Sequence, residues 1–168
     1  MSIPKRFILA LLTGPAMIAS SMANTGITME ITNRTPAVLE MIHMGTDPAP
    51  PEDFSLSAYD ISPKSIRNLH FVNQRDYTYP GSGWQPTLKK VEPIEILIAY
   101  QMKGSDFGCQ IQTQFEAPVG FGFLEPQYQP DWKSRTAYTG NGEYTCRSEI
   151  FQKMLQPPFS YSVRIIIE

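Results

Sequence analysis

Cys109-Gln110-Ile111-Gln112-Thr113-Gln114-Phe115-Glu116 is the stretch whose reading decides the fold class. Cysteine, isoleucine, threonine and phenylalanine take the odd positions, glutamine and glutamate the even ones. Successive side chains of a β-strand point to opposite faces, so this order sends one row into a core and the other into water. A helix would spread the same residues around its whole surface. Cys109 is therefore an inward residue. The same period recurs at the end of the chain, where Phe159, Tyr161, Val163, Ile165 and Ile167 alternate with Ser160, Ser162 and Arg164. Near the beginning, Ile27, Met29 and Ile31 alternate with Thr28, Glu30 and Thr32.

Further strands are expected at Val38 to Met44, after an Asn33-Arg34-Thr35-Pro36 turn, and at Ile66 to Val72, after Ile61-Ser62-Pro63-Lys64. Phe54, Leu56 and Ala58 also alternate with serines. Ile94 to Met102 is almost continuously apolar and reads as a central strand covered on both faces, followed by a Lys103–Asp106 turn. Gly140-Asn141-Gly142 is a hairpin signal between Ser134–Thr139 and Glu143–Arg147, because Asn-Gly tolerates positive φ. Arg147 to Leu155 is the one expected helix, a short one stopped by Pro157-Pro158. Gly45–Asp53, Asn73–Pro86 and Ala117–Lys133 are too rich in Gly, Pro and aromatic residues for regular structure. The pattern predicts an all-β, single-domain antiparallel β-sandwich or flattened barrel, with about eight or nine strands and at most one short helix.

Residues 1–23 read as a secretory signal peptide. Lys5-Arg6 precedes the apolar run Phe7 to Leu12, Gly14-Pro15 breaks it, and Ser21-Met22-Ala23 fits a small-x-small cleavage site. The run is much shorter than the roughly 20 residues that span a bilayer, so no transmembrane anchor is expected in the mature chain. Cleavage removes 23 of the 168 residues and leaves 145 (24–168), one domain with room for a core. It also removes two cations and no acid, taking the net charge from −2 to −4. Nonspecific nucleic-acid binding, which neutralises phosphates with Lys and Arg, is not expected. No Lys/Arg run marks a basic membrane patch. The expected location is secreted or periplasmic.

Cys109 and Cys146 are the only cysteines, and an even count in an oxidising compartment favours a disulfide over two buried thiols. No metal or cofactor site is expected. The cysteine spacing is not that of a zinc or redox motif, and His43 and His70, the only histidines, lack accompanying ligands. Gly81-Ser82-Gly83 lacks the frame of a nucleophile elbow. Glu125 with Asp131 can be nominated as a carboxylate pair, but sixteen acids make such pairs easy to find. No catalytic residues are assigned, and a non-enzymatic protein is expected. Asn33-Arg34-Thr35 matches the N-glycosylation pattern at a turn where a glycan could be accommodated.

The aromatic loops are the binding feature. Tyr77, Tyr79 and Trp84 lie in one, Phe121, Phe123, Tyr128 and Trp132 in another. Such rings can stack on sugars, cage a choline cation or enter a membrane interface, or else fold back as lids over the core. The order of features resembles the actinoporin and aegerolysin group of small β-sandwich proteins. The resemblance runs from Ile31-Thr32-Asn33-Arg34-Thr35 through the Pro-rich segment, Ile61-Ser62-Pro63-Lys64-Ser65, the Gly-Trp loop and Ile94 to Tyr100, to Phe115-Glu116-Ala117-Pro118. It implies a sandwich recognising lipid head groups, with Tyr77, Tyr79, Trp84, Tyr128 and Trp132 as contacts. The amphipathic pore-forming segment that precedes the first strand in actinoporins has no counterpart after Ala23. The expected function is binding of a lipid head group or glycan. The alternative is a periplasmic protein-interaction module, such as an inhibitor or immunity protein of a secreted toxin, whose acidic surface suits a basic partner.

Overall fold

A computed structural model describes residues 22–46, 55–79, 87–88, 90–121, 126–140 and 142–168. In chain order its strands are β1 (Met22–Asn33), β2 (Leu39–Thr46), β3 (Ser65–Asp76), β4 (Thr78–Tyr79), β5 (Thr87–Leu88), β6 (Ile94–Met102), β7 (Gly108–Glu116), β8 (Val119–Phe121), β9 (Pro126–Tyr128), β10 (Asp131–Thr139), β11 (Cys146–Lys153) and β12 (Tyr161–Ile167). Two four-stranded sheets, β11-β12-β1-β3 and β10-β7-β6-β2, form the layers. Neither closes on itself, so the fold is the sandwich and not the flattened barrel. Of the expected leader, residues 1–21 lie outside the described residues, and the backbone of Met22-Ala23 continues β1 against Asp76 and Arg75.

The inward rows follow the alternation of the sequence. Cys109, Ile111, Thr113 and Phe115 of β7 face Tyr161, Val163, Ile165 and Ile167 of β12 in the core, together with Ile27, Met29 and Ile31 of β1. Thr113 can be buried because its hydroxyl donates to the Tyr161 phenol across the layers, at 3.2 Å. Burying both without that bond would leave two polar groups unsatisfied.

Several local expectations are corrected by long-range pairing. Arg147 to Leu155 is not a helix but mostly β11, an antiparallel partner of β12 with a bulge between Ile150 and Gln152. A helix there would leave one side of β12 without its ladder, which outweighs a modest propensity difference. Gly140-Asn141-Gly142 does not close a hairpin. It carries the chain from β10 in one sheet to β11 in the other. Gly140 has φ of 105°, and a Cβ there would lie 2.9 Å from Phe107 Cα, so glycine is required for the crossing. The sandwich is also not wholly antiparallel, since β1 and β12 run parallel. Leu56–Tyr59 is a 3-10 turn in place of the serine-alternating stretch, and β6 has one buried and one half-buried row in place of two covered faces. The first aromatic loop contains β4, which pairs with β5 just beyond it, the second contains the β8-β9 pair, and β3 and β10 extend into the two loops.

Cys109 and Cys146 form the disulfide. It joins β7 of one sheet to β11 of the other near one end of the sandwich, where Phe107 and Tyr144 also stack with ring centroids 5.6 Å apart. Asn33 closes the same end. Its Nδ2 donates toward the carbonyls of Ala37, Ile61 and Ser62 (2.9, 3.2 and 3.0 Å), and its Oδ1 accepts from the amide and hydroxyl of Thr35. Asn33 is fully buried, so the room expected for a glycan is absent: the amide nitrogen is already the tie between three chain segments.

Two outcomes follow for stability. Asn33→Asp, of equal size, turns a carboxylate oxygen toward those carbonyls and is expected to cost about 3 kcal/mol in urea unfolding. Replacing Cys109 and Cys146 together by Ala releases a cross-link spanning 37 residues, with an expected loss of about 4 kcal/mol in the same measurement.

Candidate functional site

The opposite end is closed by rings. Phe159 sits at its centre, delivered by the turn before β12, buried and with φ of 57°. A bulky side chain rarely takes this left-handed conformation, and packing on all sides holds it there. Its ring lies 5.4 Å from Tyr77 after β3, 5.6 Å from Tyr128 of β9 and 5.6 Å from Phe115 of β7. Phe115 in turn lies 5.6 Å from Trp132 of β10. Edge-on contacts dominate around Tyr77 and Tyr128, the arrangement favoured by the ring quadrupoles.

The phenols are tied as well as packed. The Tyr77 and Thr25 hydroxyls lie against each other, and both reach the Pro158 carbonyl. The Tyr128 phenol donates to the Tyr77 carbonyl. The start of β1, the end of β3, the β8-β9 hairpin and the turn before β12 are thereby joined at one place. Burial pushes the Tyr77 phenol above its ordinary range, opposed by the Thr25 bond and then by Arg75. Burial likewise raises Tyr161 to about 12, opposed by the bond from Thr113, and raises Tyr100.

Of the five residues assigned to ligand contact, the structure brings Tyr77, Tyr128 and Trp132 into this one cluster. Tyr77 is only 2% exposed and acts here as packing, not as a presented ring. Tyr128 and Trp132 are half-buried. The Trp132 Nε1 is buried and has no hydrogen-bond partner among the described residues, and the Lys153 ammonium stands 5.2 Å from the ring centroid. Tyr79 pairs with Thr87 through its backbone, and Trp84 lies outside the described residues. The outer rim holds Phe121, which the sequence placed in the second aromatic loop without assigning it a contact, and Leu155, which the sequence reading missed. Phe121 is 90% exposed on the β8-β9 hairpin, and Leu155 is 69% exposed in the turn that delivers Phe159. Pro157-Pro158 was the signal for that turn, read only as a helix stop.

No other constellation takes shape. His43 on β2 and His70 on β3 stand exposed on different sheets, with His70 Nδ1 3.2 Å from the Thr28 hydroxyl. Glu125 lies outside the described residues, and Asp131 is ion-paired to Lys133 at 2.8 Å. Among the described residues no three His, Cys, Asp or Glu side chains converge. No family model, curated protein or solved structure matches this chain.

The buried phenols give a pH signature. In the unfolded chain they ionise near pH 10; in the folded chain they hold their protons to higher pH. Their contribution is therefore complete below about pH 10 and is lost as pH rises toward 12. Urea midpoints are expected to be flat up to about pH 10 and then to fall, with the phenolate absorbance of Tyr77, Tyr100 and Tyr161 appearing only on unfolding. Tyr161→Phe should flatten that fall while lowering neutral-pH stability by about 1 kcal/mol, because the Thr113 hydroxyl loses its acceptor.

Proposed function

We propose that this chain is an exported, non-enzymatic binding protein that contacts a lipid head group or glycan through its aromatic end. The observation that carries this is the convergence of Tyr77, Tyr128 and Trp132 on Phe159, with Phe121 and Leu155 exposed on the segments that flank the cluster. A packed aromatic base supporting exposed apolar tips suits an interface that is part apolar and part wet.

Tyr128 and Trp132 form the floor in this reading, Phe121 and Leu155 the rim, and the β4 backbone carries Tyr79 on from Tyr77 at the same end. Lys153 beside the Trp132 ring offers a cation for a phosphate or a sugar oxygen. The disulfide supports export to an oxidising compartment, secreted or periplasmic. The two-sheet sandwich is the architecture implied by the resemblance to actinoporins and aegerolysins, which remains part of the proposal.

Phosphatidylcholine vesicles in a flotation assay and a glycan array test the reading with the wild type and with Trp84→Ala, Trp132→Ala and Phe121→Ser. Binding to one of the two surfaces is expected, weakened about tenfold by each substitution. No binding to either, or binding indifferent to all three substitutions, overturns it. Stoichiometric capture of a basic protein, equally indifferent to them, would make the chain a periplasmic protein-interaction module instead.

A further inference from the structure

Among the described residues, four strands form the edges of the two main sheets: β10 and β11 on one side of the sandwich, β2 and β3 on the other. Three of them are guarded. β10 and β11 lie against each other, joined by the Ser134 and Ser148 hydroxyls, and their outward rows carry Asp131, Lys133 and Arg135, and Arg147 and Glu149. β2 has a bulge between Met41 and His43. Its Leu39 backbone bonds Ile61, and its Met41 amide donates to the Asp60 carboxylate at 2.9 Å. Bulges, charges and covering segments are the usual protection of a sheet edge.

β3 lacks them over Ile66–Val72. Its pairing with β1 runs through twelve residues without a bulge. Its outward row there is Ile66, Asn68, His70 and Val72, with no Asp, Glu, Lys or Arg. Ile66 and Val72 are 63% and 70% exposed, Val72 because its neighbour on β1 is Gly26. Among the described residues, no backbone hydrogen bond of this segment leaves the β1 ladder. Arg67, which points inward, is held by the Ala58 carbonyl and stands over the Tyr59 ring.

We propose that a second copy of this chain docks here, β3 against β3, in antiparallel pairing about a two-fold axis at Leu69. That register sets Ile66 against Val72 of the other copy twice and Asn68 against His70, with no like charges opposed. Centring two residues later would oppose Arg67 and Arg75 and cost repulsion, so charge selects between registers. The two sheets then merge into one of eight strands, and an isologous contact uses the same edge on both copies. Seven paired residues fall short of the roughly 1,200 Å² of a standard interface, so the dimer is weak and forms at high concentration.

Sedimentation equilibrium of the disulfide-intact protein up to about 1 mM tests this. A monomer–dimer equilibrium is expected. Val72→Lys and Ile66→Lys are each expected to weaken it about tenfold or more, since each substitution enters the interface twice. Both sites are exposed, so unchanged melting temperatures serve as the folding control. Phe121→Ser should leave the dimer intact, and Val72→Lys should leave vesicle or glycan binding by the monomer intact, which separates this inference from the proposed function. A monomer throughout, a dimer indifferent to both lysines, or a monomer that takes up only foreign extended peptides along β3 overturns it.

Discussion

Two sheets that share no strand must be held together across a core, and here the holding is done at the two ends of β7. Cys109 near its start is bonded to β11, and Phe115 near its finish packs on Phe159 and Trp132. The six residue steps from Cys109 to Phe115 span about 20 Å, at roughly 3.3 Å per residue. Apolar burial between these closures supplies most of the attraction, but it is non-directional. The disulfide, the Asn33 bonds and the aromatic cluster add direction and limit how one layer can slide over the other.

The two ends differ in a way that bears on function. The disulfide end is tied by satisfied polar bonds and a covalent link, with Asn33 buried among carbonyls. The aromatic end is tied by rings and phenols, and it leaves large apolar side chains in water at Phe121 and Leu155. Rings packed edge-on make a stiff base at small conformational cost, and a stiff base is what a contact surface on loops requires. Phe159 keeps a left-handed backbone within it, a local strain that the surrounding packing offsets.

The all-β class and the inward direction of Cys109 were readable from residue order, because period-two alternation is local and needs no knowledge of a partner. Arg147–Leu155 was misread for the complementary reason. Its helical character is a weak local preference, and the need of β12 for a neighbour lies outside the segment. Asn33 is the sharper case: the same three residues fit a glycan acceptor and a buried turn. Only the carbonyls of Ile61 and Ser62, 28 and 29 residues away, decide between them.

The sequence by itself determined which residues of β1, β7 and β12 face inward, since each of these strands carries that information in its own alternation. It also marked the aromatic segments, and offered both roles for them, without showing where they go. The tertiary structure decided that Gly140–Gly142 crosses between layers instead of turning a hairpin and that β12 runs parallel to β1. It also decided that Tyr77, Tyr128 and Trp132 meet at one end. These are statements about which strands are neighbours, and neighbourhood is set by the free energy of the whole assembled core, not by any window of residues within it.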